Sequence, residues 1–246
     1  MGWRTAGLML VLCATTPALT LAADPVEVRY EVYWGGFRAA EARLISTGHD
    51  AELAVRATGM ADSLTAFAME ADARQDQFHS HSRSKTLEST LAVDFRGTPH
   101  VMIDEIRRTE PEDQADPRPP VPESLKTGTL DPLTAMITAS RQILAGRPGE
   151  RFTLAVYDGR NRYDAQIAII GPGSATLGNR RITGTRATVQ FKPLAGFRKS
   201  SHDLWDGATF SLLLDPATQL PARINSDSFT IATVISAIPA VQRVGG

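Results

Sequence analysis

Cysteine is nearly missing from the chain: Cys13 is the only one in 246 residues. It falls in an N-terminal segment with the marks of a removable leader. The working chain is therefore expected to carry no disulfide, no thiolate metal site and no cysteine nucleophile. Long apolar runs are missing too. The two longest, Ala6–Ala14 and Phe229–Ile238, fall far short of the roughly 20 residues that a membrane-spanning helix needs. An excess of one charge is also lacking, with 26 basic against 27 acidic residues and no basic block, which gives nucleic-acid binding no support. Recognisable catalytic motifs are absent as well. There is no G-x-S-x-G elbow, no Ser-x-x-Lys on the expected helix, no P-loop, no dinucleotide fingerprint and no paired zinc motif.

What is present begins with the leader. Arg4 is the sole charge before Asp24, the apolar run follows it, Pro17 interrupts the run, and Leu21-Ala22-Ala23 offers small residues for cleavage. Residues 1–23 thus read as a signal peptide cut after Ala22 or Ala23, and the mature chain as periplasmic or secreted. Leu12, where a lipoprotein signal needs a small residue, argues against lipidation of Cys13. Without Arg4 the mature chain has 25 basic and 27 acidic residues, a net charge of −2.

Alternation dominates the rest. Val26, Val28, Tyr30, Val32 and Trp34 share one face of a strand, Gly35-Gly36 turns the chain, and Phe37–Ile45 returns. Further strands are expected over Ala51–Gly59, from a helical corner at Asp62–Met69 through Phe78, over Leu91–Phe95, and over His100–Arg107. Beyond them come Arg151–Val156 with Tyr163–Ile170, a turn at Gly171-Pro172-Gly173, then Ala175–Leu177. Arg181–Phe191, Thr209–Leu214, Leu220–Asn225 and Phe229–Ile238 complete the set. Between them, residues 110–123 hold five prolines and five acidic residues, which predicts an extended, mobile loop. One helix is well signalled over 131–145: Asp131 as N-cap, Pro132 at the first position, Gly146 at the stop, and an apolar stripe of Leu133, Met136, Ile137, Ile143 and Leu144.

The expected fold class is therefore mainly β (α+β): one strongly curved antiparallel sheet or half-barrel of roughly eleven strands with a helix packed against it. The segment 24–246 is expected to form one domain.

Four segments in order resemble an exported bacterial family known as domain of unknown function 3108. They are Tyr30-Glu-Val-Tyr-Trp-Gly-Gly-Phe37 with Glu41-Ala42, Gly128-Thr-Leu-Asp-Pro-Leu-Thr-Ala135, Val156-Tyr-Asp-Gly-Arg-Asn-Arg-Tyr-Asp164, and Trp205 followed by Leu220-Pro-Ala-Arg-Ile224. The resemblance implies a β-rich periplasmic protein with a half-barrel similar to that of lipoprotein carriers. It implies no catalytic residues. The proline-rich acidic insertion departs from the pattern.

Chemistry in the sequence is sparse. Arg160 and Arg162, between Asp158 and Asp164, either fork onto an anionic head group or pair within their own hairpin tip. His79 and His81 lie on one strand face about 7 Å apart, a spacing that also suits a metal, with Asp76 nearby; without a third histidine no metal site is assigned. Ser200, Ser201, His202 and Asp203 are too close in sequence to converge as a triad. No cofactor and no catalytic residue are assigned. Tyr30, Trp34, Phe37, Phe67, Met69, Phe95, Met136 and Trp205 either line a concavity or fill the core, and the sequence leaves both open. The expected function is non-enzymatic: a carrier-type protein for an apolar small molecule or lipid. Tyr30, Trp34, Phe37, Phe67, Met136, Trp205, Arg160 and Arg162 are its candidate ligand residues. The alternatives are an envelope assembly factor that binds a protein partner and, last, an envelope hydrolase.

Overall fold

A computed structural model of the chain describes residues 25–109, 116–226, 228, 233–238 and 242–243. The expected leader, residues 1–23, lies outside them. The first half of the sheet comprises β1 (Val26–Trp34), β2 (Phe37–Ser46), β3 (Ala51–Ala57), β4 (Ala68–Arg74), β5 (Gln77–Arg83), β6 (Leu87–Asp94) and β7 (His100–Arg108). A short helix α1 (Gly59–Thr65) links β3 to β4. Helix α2 (Pro132–Ala145) follows β7. The second half comprises β8 (Arg151–Tyr157), β9 (Arg162–Leu177), β10 (Arg180–Ala195), β11 (Thr209–Asp215), β12 (Leu220–Ser226) and β13 (Thr233–Ala237). Helix α3 (Lys199–Trp205) joins β10 to β11, and the two-residue β14 (Gln242–Arg243) pairs with β1.

All strand pairings are antiparallel, and thirteen strands run in one continuous order from β7 through β1 and β13 to β8. The sheet is open: β7 and β8 are its two edges. The architecture expected from the alternation is thus present, with fourteen strands among the described residues rather than about eleven.

The helix forms as its signals predict. The Asp131 carboxylate accepts hydrogen bonds from Leu133 N and Thr134 N, each at 2.9 Å, and Pro132 needs no donor in the first turn. Leu133 and Ile137 bury themselves among Val28, Tyr30, Leu44, Phe78, Leu91 and Val93 of the first half. Ala135 and Ile143 face Val156, Ile167, Ile169, Val189 and Leu214 of the second half. Helix α2 therefore lies in the concavity and divides the core in two.

The β8–β9 turn closes down on β6. Gly159 has φ +94°, and a Cβ there would meet Val93 Cγ2 at 2.7 Å and Leu91 Cδ2 at 2.9 Å, so only glycine permits the approach. Beside it the Arg160 guanidinium bonds to Asp104 Oδ1 of β7 at 2.6 and 2.9 Å, across the open side of the sheet.

Three expectations need correction. Gly171-Pro172-Gly173 is not a turn: β9 runs straight through it, with a bulge opposite Arg186/Ala187 that Gly171 (φ +124°) and Pro172 accommodate. The strand expected to continue through Phe78 is broken by a turn at Gln75-Asp76, both with positive φ, which separates β4 from β5. Residues 199–205, left outside the expected strands and the one expected helix, form α3. Of the proline-rich stretch, 110–115 lie outside the described residues. The part from Asp116 onward is tied down, with the Asp116 carboxylate accepting from Lys199 N, Ser200 N and Ser200 Oγ. Among the described residues no helix is long and apolar enough to cross a membrane.

Candidate functional site

On the side of α2 that faces the second half of the sheet, packing is incomplete. The helix presents Pro132, Ala135, Met136, Ala139 and Ser140, four of them small, at a spacing that keeps them on one face. Opposite stand Leu154 and Val156 of β8, Ala165 and Ile167 of β9, Val189 and Phe191 of β10, Phe210 and Leu212 of β11, and Ile224 and Ile235 of β12 and β13. These are the inward positions of strands alternating with period two. They line a partly open cavity of about 250 Å³, walled almost entirely by carbon.

An aromatic cluster bounds one end. Phe191 is its hub, with ring centroids 5.3 Å from Tyr163, 5.2 Å from Phe210 and 5.7 Å from Trp205, all edge-on. Trp205 of α3 stacks on Phe210 at 6.3 Å and 22°. On the far side of the Tyr163–Phe191 pair lies a second lobe of about 270 Å³. Its lining is Asp158, Asn161, Pro193, Phe197 and Trp205, with Tyr163 and Phe191 shared between the lobes. The inner lobe is apolar; the outer one has polar groups on its rim.

The rim is built from the β8–β9 turn and the strap beyond residue 116. Asp158 Oδ1 accepts from Arg160 N and Asn161 N at 2.8 and 2.6 Å, which fixes the turn. Arg118 donates to Asn161 Oδ1 at 2.5 Å and to Gly196 O at 3.2 Å, and burial pulls its pKa below the ordinary arginine value. Burial also pushes the Tyr163 phenol far above its usual range, with the Asp158 and Asp131 charges adding to the effect. Burial raises the Asp131 carboxyl too, against the bonds it accepts at the helix start.

The residues singled out from sequence scatter. Met136 lines the inner lobe and Trp205 the outer. Tyr30 is buried in the first-half core, its hydroxyl without a partner. Trp34 and Phe37 stand at the β1–β2 tip, 54% and 71% exposed, and Phe67 is half-buried after α1. Met69 lies on β4, and Phe95 packs at 6.4 Å from the Tyr157 ring. The two arginines are engaged within the protein: Arg160 with Asp104, and Arg162 with Leu125 O at 2.9 Å and Asp164 Oδ1 at 2.8 Å. His79 and His81 each face a carboxylate on a neighbouring strand, Asp72 at 3.5 Å and Glu88 at 3.1 Å. Among the described residues no three His, Cys, Asp or Glu side chains converge on a point where a metal would sit. Composition hides the two residues that matter most here, Tyr163 and Phe191. The one readable hint is Ala135 and Ala139 at i, i+4, on a different side of the helix from Leu133 and Ile137.

Comparison with known proteins agrees with this architecture. A family model described as "Protein of unknown function (DUF3108)" matches residues 29–229. A crystal structure described as a beta-barrel-like protein of domain of unknown function DUF1849 from Brucella abortus is similar, with a TM-score of 0.53 at 8% sequence identity. The match covers 91% of this chain and 99% of that one, and the likeness is one of fold. A search of curated proteins gives no match.

Proposed function

The chain belongs to the DUF3108 family of unknown function, and from that premise we propose that it is an exported, non-enzymatic binding protein holding an apolar ligand between α2 and strands β8–β13. The carbon-lined cavity carries this reading. Each methylene moved into such a space from water gains about 0.8 kcal/mol. At about 250 Å³ the pocket beside α2 falls just under the roughly 300 Å³ of a typical small-molecule pocket, and a second pocket of about 270 Å³ shares its Tyr163–Phe191 wall. Export rests on the leader-like sequence of residues 1–23.

Native mass spectrometry of protein taken gently from the periplasmic fraction tests both parts. A co-purifying apolar adduct on a chain beginning at Ala23 or Asp24 is the expected result. A clean apo mass counts against the ligand, and retention of the leader counts against export.

A second reading, an envelope assembly factor, draws on one observation. Trp34 and Phe37 at the β1–β2 tip and Met60 and Leu64 on α1 are all more than half exposed. The two elements meet through the Thr58 N to Ala39 O hydrogen bond. Exposed apolar residues grouped in this way mark protein contact surfaces.

A further inference from the structure

The cavity holds one side chain that its apolar lining does not explain. Tyr163 belongs to both lobes and is clamped edge-on between Phe191 at 5.3 Å and Phe197 at 6.3 Å. Among the described residues its hydroxyl has no hydrogen-bond partner, whereas the Tyr157 hydroxyl, a few residues away, donates to Gly159 O at 2.7 Å. Tyr163 keeps some accessible surface although protein surrounds it closely enough to push its phenol far above the ordinary range. Its ring stands in the wall that the two pockets share. The hydroxyl is accessible rather than sealed in, so it is open to a partner that enters the pocket, and a hydrogen bond there would add to the burial of an apolar chain.

Building on the cavity reading, we infer that the Tyr163 hydroxyl is the polar anchor of the site and that the ligand is a neutral amphiphile. Its chain lies in the inner lobe beside Ala135 and Ala139, and an ester or hydroxyl oxygen sits at the lobe junction, where it accepts the Tyr163 O–H. The charge around the junction selects a neutral head. The ionisable groups that act on this phenol are Asp158 and Asp131, both negative, and both would repel a carboxylate. Arg118 bonds to Asn161 and Gly196 O, while Arg160 and Arg162 are occupied by Asp104 and Asp164, so none of these cations is turned toward the hydroxyl by the bonds it makes.

Three ten-carbon probes of matched chain length test this: decane, methyl decanoate and decanoate. Each displaces a neutral apolar dye from the full mature protein at pH 7.5. The ester is expected to bind most tightly in the wild type. Tyr163→Phe should reduce the ester-to-decane affinity ratio by about fivefold, the scale of one net hydrogen bond. Because the hydroxyl has no partner among the described residues, the variant should melt no lower than the wild type, so weaker binding is not misfolding. As an independent readout, the ¹³C carbonyl resonance of labelled methyl decanoate should shift on binding to wild type, and that shift should be lost in Tyr163→Phe. Equal affinities for ester and decane, or a ratio unchanged by the substitution, overturn the anchor and leave the cavity reading standing. Decanoate binding tightest overturns the neutral head. No binding of any probe overturns the cavity reading and the anchor with it.

Discussion

Toward β1–β6, α2 offers Leu133 and Ile137; toward β8–β13 it offers Ile143 near its end but Ala135, Ala139 and Ser140 before it, and beside those small residues a pocket of about 250 Å³ remains. Both sides of the helix meet inward-facing side chains of the same antiparallel sheet. Small side chains on one stretch of the helix accompany the pocket. Close-packed interiors seldom keep voids of this size. The two halves differ outside as well. The outer face of β1–β5 carries an ionic lattice, with Glu27 bonded to Arg29 and Arg43, Glu52 to Arg74, and Asp72 facing His79.

The largest expected break of this asymmetry is a pair of truncations. Ile137→Ala, on the side toward β1–β6, should destabilise the protein by about 2–5 kcal/mol in urea unfolding. Leu154→Ala, whose side chain borders the cavity from β8, should cost less than half as much. Equal losses would mean that the two sides are packed alike. Next in size is Ala139→Leu. With real space to enter, it should avoid the roughly 1–3 kcal/mol penalty of overpacking and weaken a neutral apolar dye about tenfold. A large loss of stability together with unchanged dye binding would contradict the cavity.

A smaller effect concerns the ionic face. Hydrogen bonds from Arg43 first, then Arg29, hold the Glu27 carboxyl down to about 2 from an ordinary 4.5. Its charged form is the one favoured by folding. That stabilisation is complete above about 4.5 and is lost as pH falls toward 2. Glu27→Gln should therefore melt below wild type at neutral pH, and the gap should close through that window. A gap independent of pH would remove the ion pairs as its cause. The smallest effect is expected at the exposed hairpin tip, where Trp34→Ser and Phe37→Ser should each stay within about 0.5 kcal/mol of wild type.

Much of the fold was legible because period and punctuation agreed. Val28 and Tyr30 are buried where alternation places them, Gly35-Gly36 turns with positive φ at both residues, and Asp131-Pro132 opens the helix. What failed did so for identifiable reasons. Gly171-Pro172-Gly173 carries the chemistry of a turn, but a bulge uses the same residues, and sixteen residues of β10 across the ladder hold it straight. Gln75-Asp76 turns the chain in a left-handed conformation with no glycine or asparagine to announce it. The site was harder still. A search for large aromatics finds Trp34 and Phe37, yet a cavity is made by what is small, so Ala135 and Ala139 were the better signal. Phe191, at the centre of the ring cluster, lies 28 residues from Tyr163 in sequence, and only the β9–β10 hairpin brings the two together.

The contact between Arg160 and Asp104 bears on how anything enters. It spans the two rims of the sheet where no ladder of backbone bonds joins them among the described residues. A half-exposed ion pair of this kind is worth about 1 kcal/mol or less, and dissolved salt weakens it. Added salt thus loosens only the polar part of this closure, and the packing of Gly159 on Val93 and Leu91 of β6 is left to hold the rims together.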